Sequence, residues 1–81
     1  MDDREILDRI HSIVDAEREL RARLQDDPED AAAIRSRMRQ LEESLDQCWD
    51  LLRQRRAKAD AGENPADADA RPISQVEGYR Q

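Results

Sequence analysis

Leu45-Asp46-Gln47-Cys48-Trp49-Asp50-Leu51-Leu52-Arg53-Gln54-Arg55-Arg56 is the stretch that decides how this chain folds. Leu45, Cys48 and Leu52 continue a series begun by Ile34, Met38 and Leu41, with spacings that alternate between four and three. That alternation marks an amphipathic helix with a coiled-coil seam. The same stretch holds the only Trp and the only Cys of the chain, and it runs into the sharpest positive cluster of an acidic protein. A helix that only stays soluble needs neither feature, so the segment marks a place where something docks.

Towards the N-terminus the pattern repeats. Ile6, Ile10, Ile13, Leu20 and Leu24 alternate by four and three, with Glu17 as the one polar seam position. The pairs Glu5/Arg9, Glu17/Arg21 and Glu19/Arg23 place acid before base at i,i+4, each adding about 0.2–0.5 kcal/mol to a helix. These signals predict a helix over 3–26. Asp26-Asp27-Pro28-Glu29-Asp30 interrupts it, with Asp27 suited to an N-cap, Pro28 to a first helical position and Asp30 to a capping-box acid. The turn is expected at 26–28 and the second helix over 28–60. Arg53, Arg55, Arg56 and Lys58 fall in its last turns, where they complement the helix dipole, and Gly62 marks its stop.

The expected organisation is a helical hairpin over 1–61 and a tail over 62–81. The tail opens with the acidic run Glu63-Asn64-Pro65-Ala66-Asp67-Ala68-Asp69-Ala70, which is unable to fold alone. Ile73, Val76 and Tyr79 make its second half more apolar and allow partial order.

With the turn near residue 27, residue i faces about residue 54 − i in an antiparallel pair. Helix two, about 50 Å long against about 36 Å for helix one, then overhangs its partner with the basic cluster. In heptad terms Leu7, Val14 and Trp49 occupy e positions, which share one edge of an antiparallel hairpin. They form a second apolar stripe outside the seam, and such a stripe needs cover from the tail, a second copy or another protein. The fold class expected is therefore all-α: a coiled-coil-like antiparallel hairpin with a partly ordered tail, closing as a homodimeric four-helix bundle. Glu17 would set its register by pairing with Arg37.

Composition bounds the function. The chain has 81 residues, 42% charged and 37% hydrophobic, with a net charge of −6. A large globular core is excluded, and whole-surface nucleic-acid binding is disfavoured. A single Cys gives no internal disulfide. The acidic start lacks the apolar segment of a signal peptide, and no run approaches the length of a membrane span. A cytoplasmic location follows as the expectation.

Chemistry-bearing residues are few. His11 shares a helix face with Asp8 and Asp15, but one strong ligand type makes no metal site. Cys48 is a seam residue with no His placed to activate it, and reads as a small core side chain. No catalytic residue, cofactor or metal is expected. Trp49 reads either as an anchor for a different protein or as a flank residue packed on Leu7 and on the second copy of a dimer. The arginines read either as contacts for RNA, phosphate or an acidic protein, or as dipole partners on which the acidic tail docks. Aromatic interleaving of the kind that stacks on bases is missing.

Leu7-Asp8-Arg9-Ile10 through Arg21-Ala22-Arg23-Leu24 resembles the first helix of the all-helical chorismate mutases. Those enzymes grip a dicarboxylate with Arg and Lys from several helices, and this chain lacks a third helix of that kind. A broader resemblance spans nearly the whole chain. Met1-Asp2-Asp3 with Ile6-Leu7-Asp8-Arg9-Ile10, the segment Leu45 to Ala57, and the ending Arg71-Pro72 through Val76-Glu77-Gly78-Tyr79 are similar to a family of short actinobacterial proteins of unknown function. The Cys-Trp segment is its most specific part. The resemblance supplies no catalytic residue. It implies that the tail ending belongs to the design, and that Pro72 to Tyr79 docks, with the Leu7/Trp49 stripe as the expected seat.

The functional expectation is a non-catalytic interaction or adaptor protein. Leu7, Val14, Trp49 and Tyr79 would supply apolar contact, and Arg53, Arg55 and Arg56 charge. A nucleic-acid- or ribosome-associated factor using the basic end is the second reading, and a chorismate-mutase-like enzyme the third.

Overall fold

Alternating apolar residues on two helices give the molecule its frame. In the computed structural model, which describes residues 2–77, helix α1 spans Asp3–Asp26 and helix α2 spans Ala31–Asp60. Ile6, Ile10 and Ile13 of α1 cluster with Leu41 and Cys48 of α2, and Leu20, Leu45, Leu51 and Leu52 pack around them. The described residues are helical or irregular, without a strand.

Local chemistry sets where each helix begins and ends. The Asp2 side chain accepts from the Glu5 backbone N–H at 2.8 Å, and the Glu5 carboxylate takes the Asp2 N–H at 3.5 Å. This reciprocal capping box satisfies two donors that the first turn would leave orphaned. At the far end of α2, Gly62 adopts φ 77. Its N–H donates to the Ala59 carbonyl at 3.1 Å, and the Glu63 N–H reaches the Lys58 carbonyl at 2.7 Å. The two bonds make a Schellman motif with glycine in the left-handed position that the motif requires.

The turn departs from expectation. Pro28–Asp30 forms a 3-10 turn, α2 starts at Ala31, and Asp27 makes no side-chain cap bond. Pro is as acceptable at the start of a 3-10 turn as of an α-helix, because neither uses its missing N–H. The longer connection moves the register. Asp3 pairs with Arg55 across the hairpin, and α2 begins five positions after α1 ends. The numbers of facing residues therefore total about 58 rather than 54, a slide of about one helical turn. Ile10 then lies level with Cys48, Ile13 with Leu45, Leu20 with Met38 and Leu24 with Ile34. Each layer pairs an a with a d position, the regular layering of an antiparallel coiled coil.

The slide also removes the expected partner of Glu17. Glu17 pairs with Arg21 at 3.3 Å along its own helix, and Arg37 donates to Gln40 at 3.2 Å.

Beyond Gly62 the chain turns back along α2. Asn64 caps a 3-10 turn at Pro65–Asp67, accepting from the Ala66 N–H at 3.0 Å, and a short helix, α3, spans Ile73–Glu77. Both pack on α2 and neither packs on α1. The result is an elongated body of 51 × 26 × 15 Å, with α2 in the middle.

Gly62→Ala tests the helix stop. No atom lies within 4 Å of a Cβ placed there, so the cost is conformational, about 1–2 kcal/mol. A urea titration followed by helical ellipticity should show that loss, and an unchanged midpoint would contradict it.

A candidate docking surface beside Trp49

Trp49 is the ridge of one broad face. It lies one position past the seam residue Cys48, which turns it out of the hairpin, and it is 43% exposed. Leu7 of α1, at 40% exposed, is the other large hydrophobic left open among the described residues. Leu7 and Trp49 share a groove of about 330 Å³ with Leu52, Asp3, Arg53 and Arg56. On its other side Trp49 walls a trough of about 620 Å³ between α2 and the tail, with Asp46, Arg53, Gln54, Ala57, Arg71 and Val76. Trp49 and Arg53 thus stand between two depressions. Val14 is half-buried and packs against the hairpin core.

The positive cluster divides by helical position. Arg55 is turned inward, paired with Asp3 and donating from Nη1 to the Pro65 carbonyl at 3.1 Å. It ties both the start of α1 and the start of the tail to α2. Lys58 stands 3.8 Å from Glu63. Arg53 and Arg56 are exposed, so the charge presented outward beside Trp49 is theirs.

The tail is held by a buried carboxylate that the sequence reading did not single out. Asp50, two residues past Cys48, faces away from the seam and is fully buried. Arg71 binds it through both Nε, at 2.9 Å, and Nη2, which reaches the second carboxylate oxygen. Gln54 donates to the same carboxylate at 2.9 Å and to the Asp69 carbonyl at 2.7 Å. Gln47 donates to the Arg71 carbonyl at 3.1 Å. Four tail atoms are thereby matched to three α2 side chains one or two turns apart. Val76, only 2% exposed, supplies the apolar contact. Hydrogen bonds from Arg71 hold the Asp50 carboxyl below its ordinary range, against the upward push of burial.

The tail was expected on the Leu7/Trp49 stripe. It instead seats on the back of α2, because the hydrogen-bonding groups that fit Arg71 lie there, and it borders Trp49 without covering it. Tyr79 lies outside the described residues.

Other candidate chemistry stays within structural roles. Burial raises the Cys48 thiol pKa, with Arg9 opposing more weakly, which makes the thiol a poor nucleophile. Asp8, His11 and Asp15 are all exposed, and no metal-holding group of three such residues exists among those described. No described helix is long and apolar enough to cross a membrane.

Comparison with known proteins gives a family and no activity. A family model described as "Protein of unknown function (DUF2630)" matches residues 2–81. An uncharacterized protein of Mycobacterium bovis is 46% identical over 77 residues, covering 95% of this chain and 88% of its own length. Uncharacterized proteins of two Mycobacterium tuberculosis strains match to the same extent. No solved structure matches significantly.

The Asp50–Arg71 attachment carries its own pH dependence. A lowered carboxyl pKa means that the attachment is at full strength above the ordinary carboxylate range and is lost as pH falls through the lowered value. The Val76 methyl resonances should hold their docked shifts from neutral pH down to about 5, and collapse only below about 3.9. Asp50→Ala should release the same resonances at neutral pH while the Ile10 and Ile13 signals stay in place. Simultaneous loss of both sets would show that the tail is not a separable unit.

Proposed function

We propose a non-catalytic interaction role for this chain, which belongs to that family of proteins of unknown function. In this reading it is a small cytoplasmic adaptor whose working surface is the face carrying Leu7 and Trp49. The observation that carries the reading is the open apolar pair: Trp49 at 43% and Leu7 at 40% exposure, side by side and fringed by Arg53 and Arg56. Trp flanked by Arg is the composition enriched at the energetic centres of protein interfaces. A rigid helical hairpin holds the pair at fixed spacing, so little ordering entropy is lost on docking. A four-helix bundle of two copies is the form in which this hairpin would cover its apolar face.

The basic end fits a nucleic acid less well. Arg55 and Lys58 have partners within the chain, which leaves Arg53 and Arg56 as the outward charge of a protein with net charge −6. Phosphate-backbone binding draws its affinity from many neutralised phosphates. For the chorismate-mutase-like reading, a third helix of five residues offers no long face from which to grip a dicarboxylate.

Affinity recovery of the tagged chain from its native cell, with and without nuclease, tests the choice. The adaptor reading expects a protein partner that survives nuclease, withstands raised salt and is lost with Trp49→Ala. Partners that vanish with nuclease, depend steeply on salt and are lost with Arg53→Glu plus Arg56→Glu would replace it with the nucleic-acid reading.

A further inference from the structure

The charges along the Trp49 face of α2 are arranged in opposite signs about Trp49. Glu42 lies seven residues before it and Arg56 seven residues after, both exposed and both on its side of the helix. Seven residues are nearly two full turns. Further out on the same side Asp60 follows Trp49 by eleven residues, whereas Arg39, ten residues before it, lies about a quarter turn away. Leu7, which shares Trp49's groove, lies across the hairpin about two residues from Trp49's level. A surface with this order is complementary to itself when turned end over end.

We infer that the occupant of this face is a second copy of the chain, packed antiparallel about a two-fold axis that passes between the two Trp49 side chains. The inference rests on the docking reading above and names its partner. In this arrangement α2 lies on α2 of the other copy and α1 on α1. Trp49 meets Trp49, the two Leu7 side chains flank the axis, and Glu42 of each copy pairs with Arg56 of the other. Each indole also reaches the trough that Ala57 and Val76 line, so the docked tail builds part of the interface.

The single chain exposes 6031 Å². A compact monomer of 9.4 kDa exposes about 5,000 Å², so the excess is of the order that a standard interface covers, about 800 Å² per copy.

The signs of the pairing give a test that folding effects cannot imitate. Glu42→Arg and Arg56→Glu are exposed changes on a helix surface, and each places like charges opposite one another twice in a two-fold dimer. Analytical ultracentrifugation of the full chain should show a dimer at micromolar concentration. Its dissociation constant should rise about tenfold or more in either variant, with helical ellipticity unchanged. Mixing the two variants should restore dimerisation as a heterodimer, because every contact is then between opposite charges. The double variant Glu42→Arg/Arg56→Glu should restore the homodimer. A wild-type chain that stays monomeric, single variants that dimerise as tightly as wild type, or variants that weaken alone and do not complement each other would each overturn the inference. A monomeric chain that still loses a foreign protein partner with Trp49→Ala would keep the docking reading and remove the self-pairing. A dimer that obeys the charge exchange, with no other partner dependent on Trp49, would keep the self-pairing and put the second copy in place of the adaptor reading's foreign partner.

Discussion

Ile6, Ile10 and Ile13 interlock with Leu41, Leu45, Cys48 and Leu52, and that seam places every other group in the molecule. Its a-to-d layering fixes the rotation of α2 about its own axis. Once Cys48 and Leu52 point into the hairpin, Trp49 must emerge on one broad face and Asp50 on the back. The same rotation turns Arg55 towards Asp3 and leaves Arg53 and Arg56 outside. A rotation of α2 by one residue would bury Trp49 and expose Cys48, exchanging the working face for a different one. The arrangement of the tail is equally a consequence, since the groups that receive it are Gln47, Asp50 and Gln54 on the side opposite the seam.

The attachment of the tail combines a firm geometry with a modest net energy. Burying Asp50 strips water from its carboxylate, and the attraction of Arg71, whose side chain stays 30% exposed, offsets that cost together with the Gln54 hydrogen bond. When the tail leaves, Asp50 returns to water and no orphaned charge remains. Glu17 differs. Its Oε1 is buried without a hydrogen-bond partner, while its Oε2 reaches the exposed Arg21 at the rim of the seam.

Periodicity made the hairpin legible. The four-three series on both sides of Pro28, together with Gly62, is enough to name two helices and their shared seam, because long amphipathic helices repeat one message many times. Register was less accessible: it depends on whether Pro28–Asp30 opens α2 or makes a 3-10 turn of its own, and Pro serves both. Heptad position placed Leu7 and Trp49 outside the seam, but Val14, at the same heptad position, is half-buried against the core. The seat of the tail did not follow from heptad position. A signal was present in Gln47, Asp50 and Gln54, polar residues spaced by three and four on the back of α2, with Arg71 the one basic residue between the acidic run and Pro72. A single side-chain pair 21 residues apart leaves no periodic trace, and the apolar bias of Ile73 and Val76 pointed to the wrong face.

Cys48 gives the protein a chemical clock for its own opening. The thiol is 7% exposed, and burial biases it towards the protonated, unreactive form. Its recess is small, about 140 Å³, and the tail residue Ala70 forms part of the rim. Alkylating reagents and oxidants therefore meet this sulfur chiefly in those moments when the helices part or the tail lifts. Its rate of modification would count excursions of the closed form rather than report thiol chemistry, and a partner that tightens the hairpin would be felt at the sulfur without touching it.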